Sequence, residues 1–370
     1  MDISSSSSDR RRQVTIVTHS PSPYQVELFD AIAALGVMDL HVVYLYAHDP
    51  QRMWHVSPLL HSSTVLDRDG MAAALVESVC ASDLLVVNYF KHRFVDMLLA
   101  RWPASGKPWC FWGERPRVHA LQMASRLNRV LRLRALHRCR SPIWGIGRMA
   151  VDGYREEFGP HRQYVNLPYF SALERFHAPQ RLVRQERVIL FSGSLIQRKG
   201  VDLIATAFSR LAGENPHLRL RLRLRLMGGG PLEPVLRHFL RGCAEQVEFL
   251  GFRDWQVLPT EYARADILCV PSRYDGWGLV VPEGLAAGLP VISTTQTGAG
   301  VEFLETGRNG WLIPPDDEEA LFQALREAAA LDDTQLAAMS HAAVESVREH
   351  TLEAGARRLA KAALQAIEGQ

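Results

Sequence analysis

Residues 271–293 read PSRYDGWGLVVPEGLAAGLPVIS, and the reading of this stretch decides the fold. Just before it, residues 266–270 (DILCV) form a short apolar run bounded by turn residues, the pattern of a buried strand. Residues 273–278 bring two glycines and polar groups, so the chain leaves that strand in a loop at its carboxyl end. Pro282 and Glu283 restart regular structure, because proline is pre-organised for the first helical position and an acid in the first turn suits the helix dipole. Residues 284–288 make a small-residue helix ending in glycine, and Leu289, Pro290, Val291 and Ile292 open the next strand. The unit is strand, loop, helix, strand, and its loop lies where open α/β sheets bind ligands.

Asp275 and Glu283 bracket the loop with seven residues between them. Gly276, Gly278 and the amides of Leu279, Val280 and Val281 precede the helix start, and successive amides there make an anion site whose commonest occupant is phosphate. Two carboxylates make poor sense beside a bare phosphate. They suit a ligand that also carries sugar hydroxyls, from which carboxylates accept strongly. A helix-capping acid plus an unrelated loop acid is the plainer reading of the pair.

The whole 23-residue segment resembles the signature of the family-4 (group 1) retaining glycosyltransferases of GT-B fold: an acid, seven residues, a Glu, a small-residue helix, then Gly-x-Pro-Val. The resemblance implies an α/β chain of two Rossmann-like domains facing each other across a cleft. It implies that Glu283 binds the ribose of a nucleotide sugar, that Asp275 holds the transferred sugar, and that the amides of Gly278, Leu279, Val280 and Val281 meet the diphosphate. Residues 188–191 form a strand followed by Ser192, Gly193, Ser194 and, further on, Arg198, Lys199 and Gly200. This stretch is similar to the family's Gly-Arg-Leu … Lys-Gly loop, which assigns Gly193 and Lys199 to the donor diphosphate. Ser194 stands where the family has its Arg, and the neighbouring Arg198 would then supply the missing charge. Gly228, Gly229, Gly230 and Pro231 match the family's Gly-x-Gly-Pro, and the loop 251–253, with Phe252, falls near the nucleobase by the same resemblance. Residues 297–300 and 309–314 repeat the family's closing pattern. The specific match covers the second half of the chain; the first half follows in outline.

On the first half the pattern departs. The loop after the first strand (His19, Ser20, Pro21, Ser22, Pro23) has no glycine, so its Ser and Pro residues shape the acceptor side. Glu114 stands at or beside the place of a family His near the anomeric carbon. It either orients or deprotonates an acceptor hydroxyl, or it forms a salt bridge with Arg115 or Arg117. Asp67, Arg68 and Asp69 imitate a metal-binding Asp-x-Asp but read as a polar turn.

The chain has 370 residues, 47% hydrophobic and 22% charged with a net charge of +2, which suits a soluble two-domain protein and points to no nucleic acid. The expected division is a disordered tail over 1–12, an acceptor domain over 13–177, a linker over 178–186 and a nucleotide-sugar domain over 187–351, with a last helix within 352–370 returning to the first domain. The serine run and three arginines at the start carry no apolar segment and are no secretion signal. No stretch is apolar enough to cross a bilayer. Five widely spaced cysteines with no CxxC fit free thiols in a reducing cytoplasm.

From Arg115 to Val151 there is no acid against nine arginines, and Arg126, Arg129, Arg132, Arg134, Arg138 and Arg140 fall on an expected leucine-rich helix. Such a helix adsorbs on anionic headgroups or is a solvated basic face. Residues 218–227 alternate Leu and Arg, which argues a strand, yet four arginines on one face suit no doubly covered parallel sheet. The expected enzyme moves a sugar from a UDP- or GDP-sugar to a hydroxyl of a glycan or lipid-linked acceptor, in polysaccharide or glycoconjugate synthesis. It needs no cofactor, and no residue cluster suggests a metal. It works in the cytoplasm, peripheral on the membrane where the basic run binds lipid. Rivals are a nucleotide-sugar epimerase of the same architecture and a non-catalytic nucleotide-sugar-binding partner.

Overall fold

A computed structural model of the chain describes residues 10–49, 56–66, 72–116, 130, 133–177, 186–214 and 221–369. The chain divides into two compact units, one of Met1–Gly145, Val151–Leu167 and Leu352–Gln370, the other of Ile146–Ala150 and Pro168–Thr351.

In the first unit β1 (Gln13–Thr18), β2 (Asp39–Tyr44), β3 (Ser62–Val65), β4 (Leu84–Val87), β5 (Trp109–Gly113), β6 (Ile143–Gly145) and β7 (Tyr164–Asn166) form one parallel sheet in the order β3-β2-β1-β4-β5-β6-β7. Val14, Ile16 and Val17 of β1 and all of β4 are fully buried, as strands covered on both faces must be. β3 carries no apolar run and escapes sequence reading. It is held at the edge by side chains: His41 of β2 bonds Ser62 Oγ at 2.8 Å and Thr64 Oγ1 at 3.1 Å. Just before it, buried His61 bridges Asp30 at 2.6 Å and the Tyr44 hydroxyl at 2.9 Å. The helix Leu352–Glu368 lies against the helix Pro23–Ala34, burying Leu359 together with Ala356, Ala360 and Ala363, small residues that let two helices approach closely.

In the second unit β8 (Arg187–Ser192), β9 (Leu222–Met227), β10 (Val247–Gly251), β11 (Ile267–Val270), β12 (Val291–Thr294) and β13 (Gly310–Ile313) make a parallel sheet in the order β10-β9-β8-β11-β12-β13. Residues 168–177, expected with the first domain, pack here instead. Phe176 meets the ring of Tyr262 at 5.2 Å and Phe170 stacks on His350 at 4.3 Å, so burial of two aromatic rings fixes where this stretch belongs. Each sheet reverses its order once, between β1 and β4 and between β8 and β11, and ligands of open α/β sheets bind outside the carboxyl ends at such points.

The Leu/Arg alternation resolves on β9. Leu222, Leu224 and Leu226 are buried in the core, while Arg223 and Arg225 take the other face. There Arg225 donates to Glu248 and to Glu261, each at 2.7 Å, and Arg223 pairs with Glu186 at 2.7 Å. The face is polar because acids from β10 and from the helix Leu258–Ala263 cover it, and it borders a cavity of about 560 Å³ lined in part by Glu186, Arg223, Arg225 and Arg264. Residues 218–220 of the alternation lie outside the described residues, as do residues 1–9 of the tail expected over 1–12, residues 67–69, and 178–185 of the linker.

Among the described residues no helix is long and apolar enough to cross a membrane. All five cysteines are free, with Cys110, Cys243 and Cys269 buried. The Arg225 cluster yields a stability prediction. Removing the guanidinium in Arg225→Ala leaves the Glu261 carboxylate, about 10% exposed, with only the longer contact to Arg253 at 3.6 Å, at an expected cost of about 2–3 kcal/mol. Urea denaturation measures it, and a loss under about 1 kcal/mol would show that Glu261 finds water there.

Candidate active site

β8 and β11 lie side by side at the reversal, with Ile189 opposite Ile267 and Leu190 opposite Leu268. Both strands therefore release their outgoing loops at one edge. After β8 the chain makes the short turn Gln197–Lys199, then Gly200, then the helix Val201–Glu214. Gly200 has φ +70°, and a Cβ there would stand 1.9 Å from the carbonyl oxygen of Pro271, the first residue after β11. Only glycine lets the two loops touch at this point. That contact delivers Lys199 to the β11 loop, where its ammonium pairs with the Asp275 carboxylate.

Asp275 is held by its backbone as well. Its N–H donates to Gln296 at 3.0 Å, and its carbonyl accepts from Gly298 at 3.2 Å, so residues 275 and 297 form a small parallel bridge. Lys199 and Asp275 keep 17% and 13% of their side chains exposed, so the pair is half-sheltered and still within reach of a ligand. A Cβ at Gly193 would lie 3.9 Å from Lys199 Cδ, which puts Gly193 beside the lysine stem.

The helix after the loop, Val280–Ala286, begins two residues before the start expected at Pro282. Proline fits there because the first four helical N–H groups have no partner inside the helix in any case. One consequence corrects the sequence reading. The Val281 amide donates to the Gly278 carbonyl at 3.0 Å, so it is not part of an open row of donors. Among the described residues the amides of Gly278, Leu279 and Val280 make no hydrogen bond. Gly278 takes φ +85°, which turns this backbone out of the strand direction.

Glu283 sits in the first helical turn, half-buried, and accepts a hydrogen bond from the Tyr262 hydroxyl at 3.2 Å. Burial, and then the nearby Glu283, push the Tyr262 phenol well above its ordinary range, so it stays a donor and orients the carboxylate. The sequence gives no sign of this tyrosine, because it comes from a separate helix.

Arg273 is the other residue that sequence reading missed. It forms a fork on Asp202 at 2.7 and 2.8 Å, donates to the Gln197 carbonyl at 2.5 Å and pairs with Asp316. Its own N–H donates to the Arg198 carbonyl at 2.9 Å. Arg273 therefore staples the Lys199 turn to the β11 loop, and the fork on Asp202 raises its pKa further. Arg198, expected to supply charge in place of the family's arginine, donates to the Tyr274 carbonyl at 2.8 Å and braces the same junction. Ser194 is exposed and its carbonyl closes a turn with the Ile196 amide at 2.9 Å.

The remaining expected residues lie elsewhere. Phe252 follows β10 and is 39% exposed. Glu114 belongs to the first unit, exposed at the carboxyl end of β5, with its carbonyl accepting from the Tyr154 hydroxyl at 2.6 Å. Of the basic run, residues 117–129 and 131–132 lie outside the described residues. An ammonium, three open amides and two carboxylates on one edge can hold a phosphate-bearing ligand that also presents hydroxyls.

The chain resembles known glycosyltransferases in sequence and in fold. The sequence model of the family "Glycosyl transferases group 1" matches residues 186–330. The putative colanic acid biosynthesis glycosyltransferase WcaL of Escherichia coli is 29% identical over 219 residues, 57% of this chain and 51% of that protein. Mannosylfructose-phosphate synthase of Agrobacterium fabrum is 29% identical over 190 residues, 46% and 41% of the two chains. The chain thus spans about half the length of these curated relatives. Among solved structures, sucrose-phosphate synthase from Thermosynechococcus elongatus superposes with a TM-score of 0.75 at 20% identity, over 97% of this chain and 100% of that one. Anabaena HepE in complex with UDP gives 0.76 at 16% identity, over 95% and 99%. The two parallel sheets with their helices are the Rossmann-like units of the GT-B fold, and over residues 186–330 the chain resembles the group 1 glycosyl transferases.

Proposed function

We propose that this chain is a retaining glycosyltransferase that moves a sugar from a UDP- or GDP-sugar to a hydroxyl of a glycan or lipid-linked acceptor in polysaccharide or glycoconjugate synthesis. The observation that carries the reading is the Lys199–Asp275 pair beside the amides of Gly278, Leu279 and Val280, at the reversal of the second sheet. Support for the donor comes from HepE, solved with UDP and with UDP-glucose, and from relatives described as GDP-mannose-dependent mannosyltransferases. WcaL's colanic acid supports a polysaccharide product.

The chemistry follows from where charge grows. As the bond from the sugar C1 to the phosphate oxygen breaks, negative charge builds on the departing diphosphate. Lys199 and the three amides take up that charge, and such preorganised donors gain most when the charge develops. Once a diphosphate draws the ammonium away, Asp275 is left to accept from hydroxyls of the transferred sugar. Glu283, oriented by Tyr262, accepts from the ribose hydroxyls. The acceptor oxygen bonds to C1 and gives up its proton, for which Glu114 is the proposed base. No metal enters this scheme, and turnover in excess EDTA checks that point.

Incubating the protein with UDP- and GDP-sugars, with and without glycan and lipid acceptors, tests the reading. Acceptor-dependent nucleotide release supports it, and isomerised nucleotide sugar with no release favours an epimerase. Glu283→Ala should weaken nucleotide binding by about 1.5–3 kcal/mol, the worth of a hydrogen bond to a charged group. Unchanged affinity by calorimetry in a folded variant removes Glu283 from the site. Lys199→Ala should lower kcat far more than it weakens nucleoside monophosphate binding, since its partner charge grows in the transition state. Equal losses in both measurements would reduce Lys199 to a general binding or structural role.

The arginine-rich run over 115–148 supports attachment to an anionic membrane surface. Each basic residue near such a surface contributes about 1 kcal/mol, screened within about 8 Å at physiological salt. Co-sedimentation with liposomes should rise with anionic lipid, fall with salt, and drop when Arg126, Arg129, Arg132 and Arg134 become Gln. Indifference to lipid charge would leave the run a solvated face.

A further inference from the structure

The cavity of about 560 Å³ beside β9 takes no part in the chemistry above. Its charged lining comes from the starts of β8, β9 and β10: Glu186, Arg223, Arg225, Glu245 and Glu248, with Arg264 after the helix Leu258–Ala263. The cavity therefore opens at the amino ends of the second sheet. β8 and β9 are six residues long, which puts about 20 Å of strand between this mouth and the edge that carries Lys199 and Glu283.

The cavity arises because the crossover from β10 to β11 carries little helix. The helix Leu258–Ala263 has six residues, about 9 Å of length against about 20 Å of strand, and it covers the face where Glu261 meets Arg225. Val188 of β8, opposite Arg223, and Glu248 of β10, opposite Arg225, share that face. The volume left beside them is of the size that small-molecule sites have.

The lining is balanced in sign, three guanidiniums against three carboxylates. Arg223 pairs with Glu186 at 2.7 Å and Arg225 with Glu248 at 2.7 Å, and the two acids keep 46% and 60% of their side chains exposed. A pair as exposed as Arg223 and Glu186 contributes at most about 1 kcal/mol, so a ligand separates it at small cost. Arg225 keeps its buried partner Glu261 when Glu248 is drawn away. A simple anion that takes an arginine leaves the displaced carboxylate beside its own charge, and a simple cation does the same to an arginine. A ligand of both signs avoids either penalty. Its anionic group replaces a glutamate on the guanidinium, and its ammonium donates to that glutamate.

One short helix links the cavity to the opposite edge of the sheet. The Arg225 guanidinium is divided between Glu248 and Glu261, so a ligand that replaces Glu248 changes the pull on Glu261. Tyr262 follows Glu261 in that helix, and its hydroxyl donates to Glu283 at 3.2 Å. Two consecutive residues thus connect the cavity to the carboxylate assigned to the ribose.

We propose that this cavity is a regulatory site for a small zwitterion, an anionic group and an ammonium a few atoms apart as in an α-amino acid or a phosphoethanolamine headgroup, whose binding alters nucleotide affinity through Arg225, Glu261, Tyr262 and Glu283. The coupling rests on the reading of Glu283 as a nucleotide contact; the binding does not. Calorimetry on the full chain tests it, with L-leucine and glycerophosphoethanolamine as zwitterions and acetate, inorganic phosphate and ethylammonium as single-charge probes. One zwitterion should bind at least tenfold tighter than every single-charge probe, and which one does so tells a free amino acid from a lipid headgroup. This comparison needs no variant. Binding should fall at least tenfold in Arg223→Gln and in Glu248→Gln, both checked for folding by circular dichroism, and persist in Asp275→Asn. Saturating zwitterion should shift the Kd for UDP or GDP at least fivefold in wild type and less than twofold in Tyr262→Phe. No zwitterion binding, single-charge probes that bind as tightly, or binding unchanged in both charge variants overturns the proposal. So does a nucleotide affinity that ignores the zwitterion or shifts equally in Tyr262→Phe. Zwitterion binding that follows Arg223 and Glu248 in a protein that binds no nucleotide upholds the site and overturns the transferase reading instead.

Discussion

A side chain on residue 200 would collide with the carbonyl oxygen of Pro271, and the arrangement of the second unit depends on there being none. Parallel neighbours β8 and β11 put two outgoing loops at one edge, but a shared edge alone does not bring side chains together. The bare backbone of Gly200 closes the remaining gap. It does so in a left-handed conformation that ends the Gln197–Lys199 turn and starts the helix Val201–Glu214. Lys199, one residue earlier, is thereby carried to Asp275. Arg273 then fastens the junction from the other loop, with its fork on Asp202 at the helix start.

The Lys199–Asp275 pair explains how a positive charge is kept ready without cost to the fold. A half-buried ammonium with no partner would lose hydration and gain nothing in return. Paired with a carboxylate that its own backbone holds in place, it is stable and still displaceable. A ligand that takes the ammonium leaves Asp275 in position and short of donors. Hydroxyls of a sugar supply them. The pair therefore favours, under the proposed function, a ligand with phosphate and sugar joined over one with either alone.

Much of this was legible in residues 271–293, because their information is local. Glycines that permit the turn, an acid at a helix start and apolar runs on either side all sit within one supersecondary unit. The same holds for Lys199 and Gly200. What could not be read depends on partners distant in sequence. β3 is a strand because His41 and the Asp30–His61–Tyr44 chain hold a polar segment at an edge. Arg225 sits on a buried face because Glu261, 36 residues later, meets it there. Tyr262 and Arg273 belong to no motif, and the spent amide of Val281 follows from a helix that starts two residues earlier than its proline suggests. Residues 168–177 changed units for the same reason, since Tyr262 and His350 draw in their aromatic rings.

The two sheets solve the same topological problem with different chemistry. Each reverses once and so leaves a ready-made site at the carboxyl ends of its strands. In the second unit that edge carries an ammonium, carboxylates and unpaired amides, which recognise charge and hydroxyls. In the first the loops at that edge are tied down by Asn88 and by backbone pairing past the strand ends. The loop after β1 needs no glycine for that task. Its His19 and Ser20 are joined at 2.9 Å, and Ser22 bonds Gln25 at 3.0 Å, so the segment is braced by side chains where a phosphate-binding loop would need bare backbone. The missing glycines after β1 thus go with a loop whose shape its own side chains set.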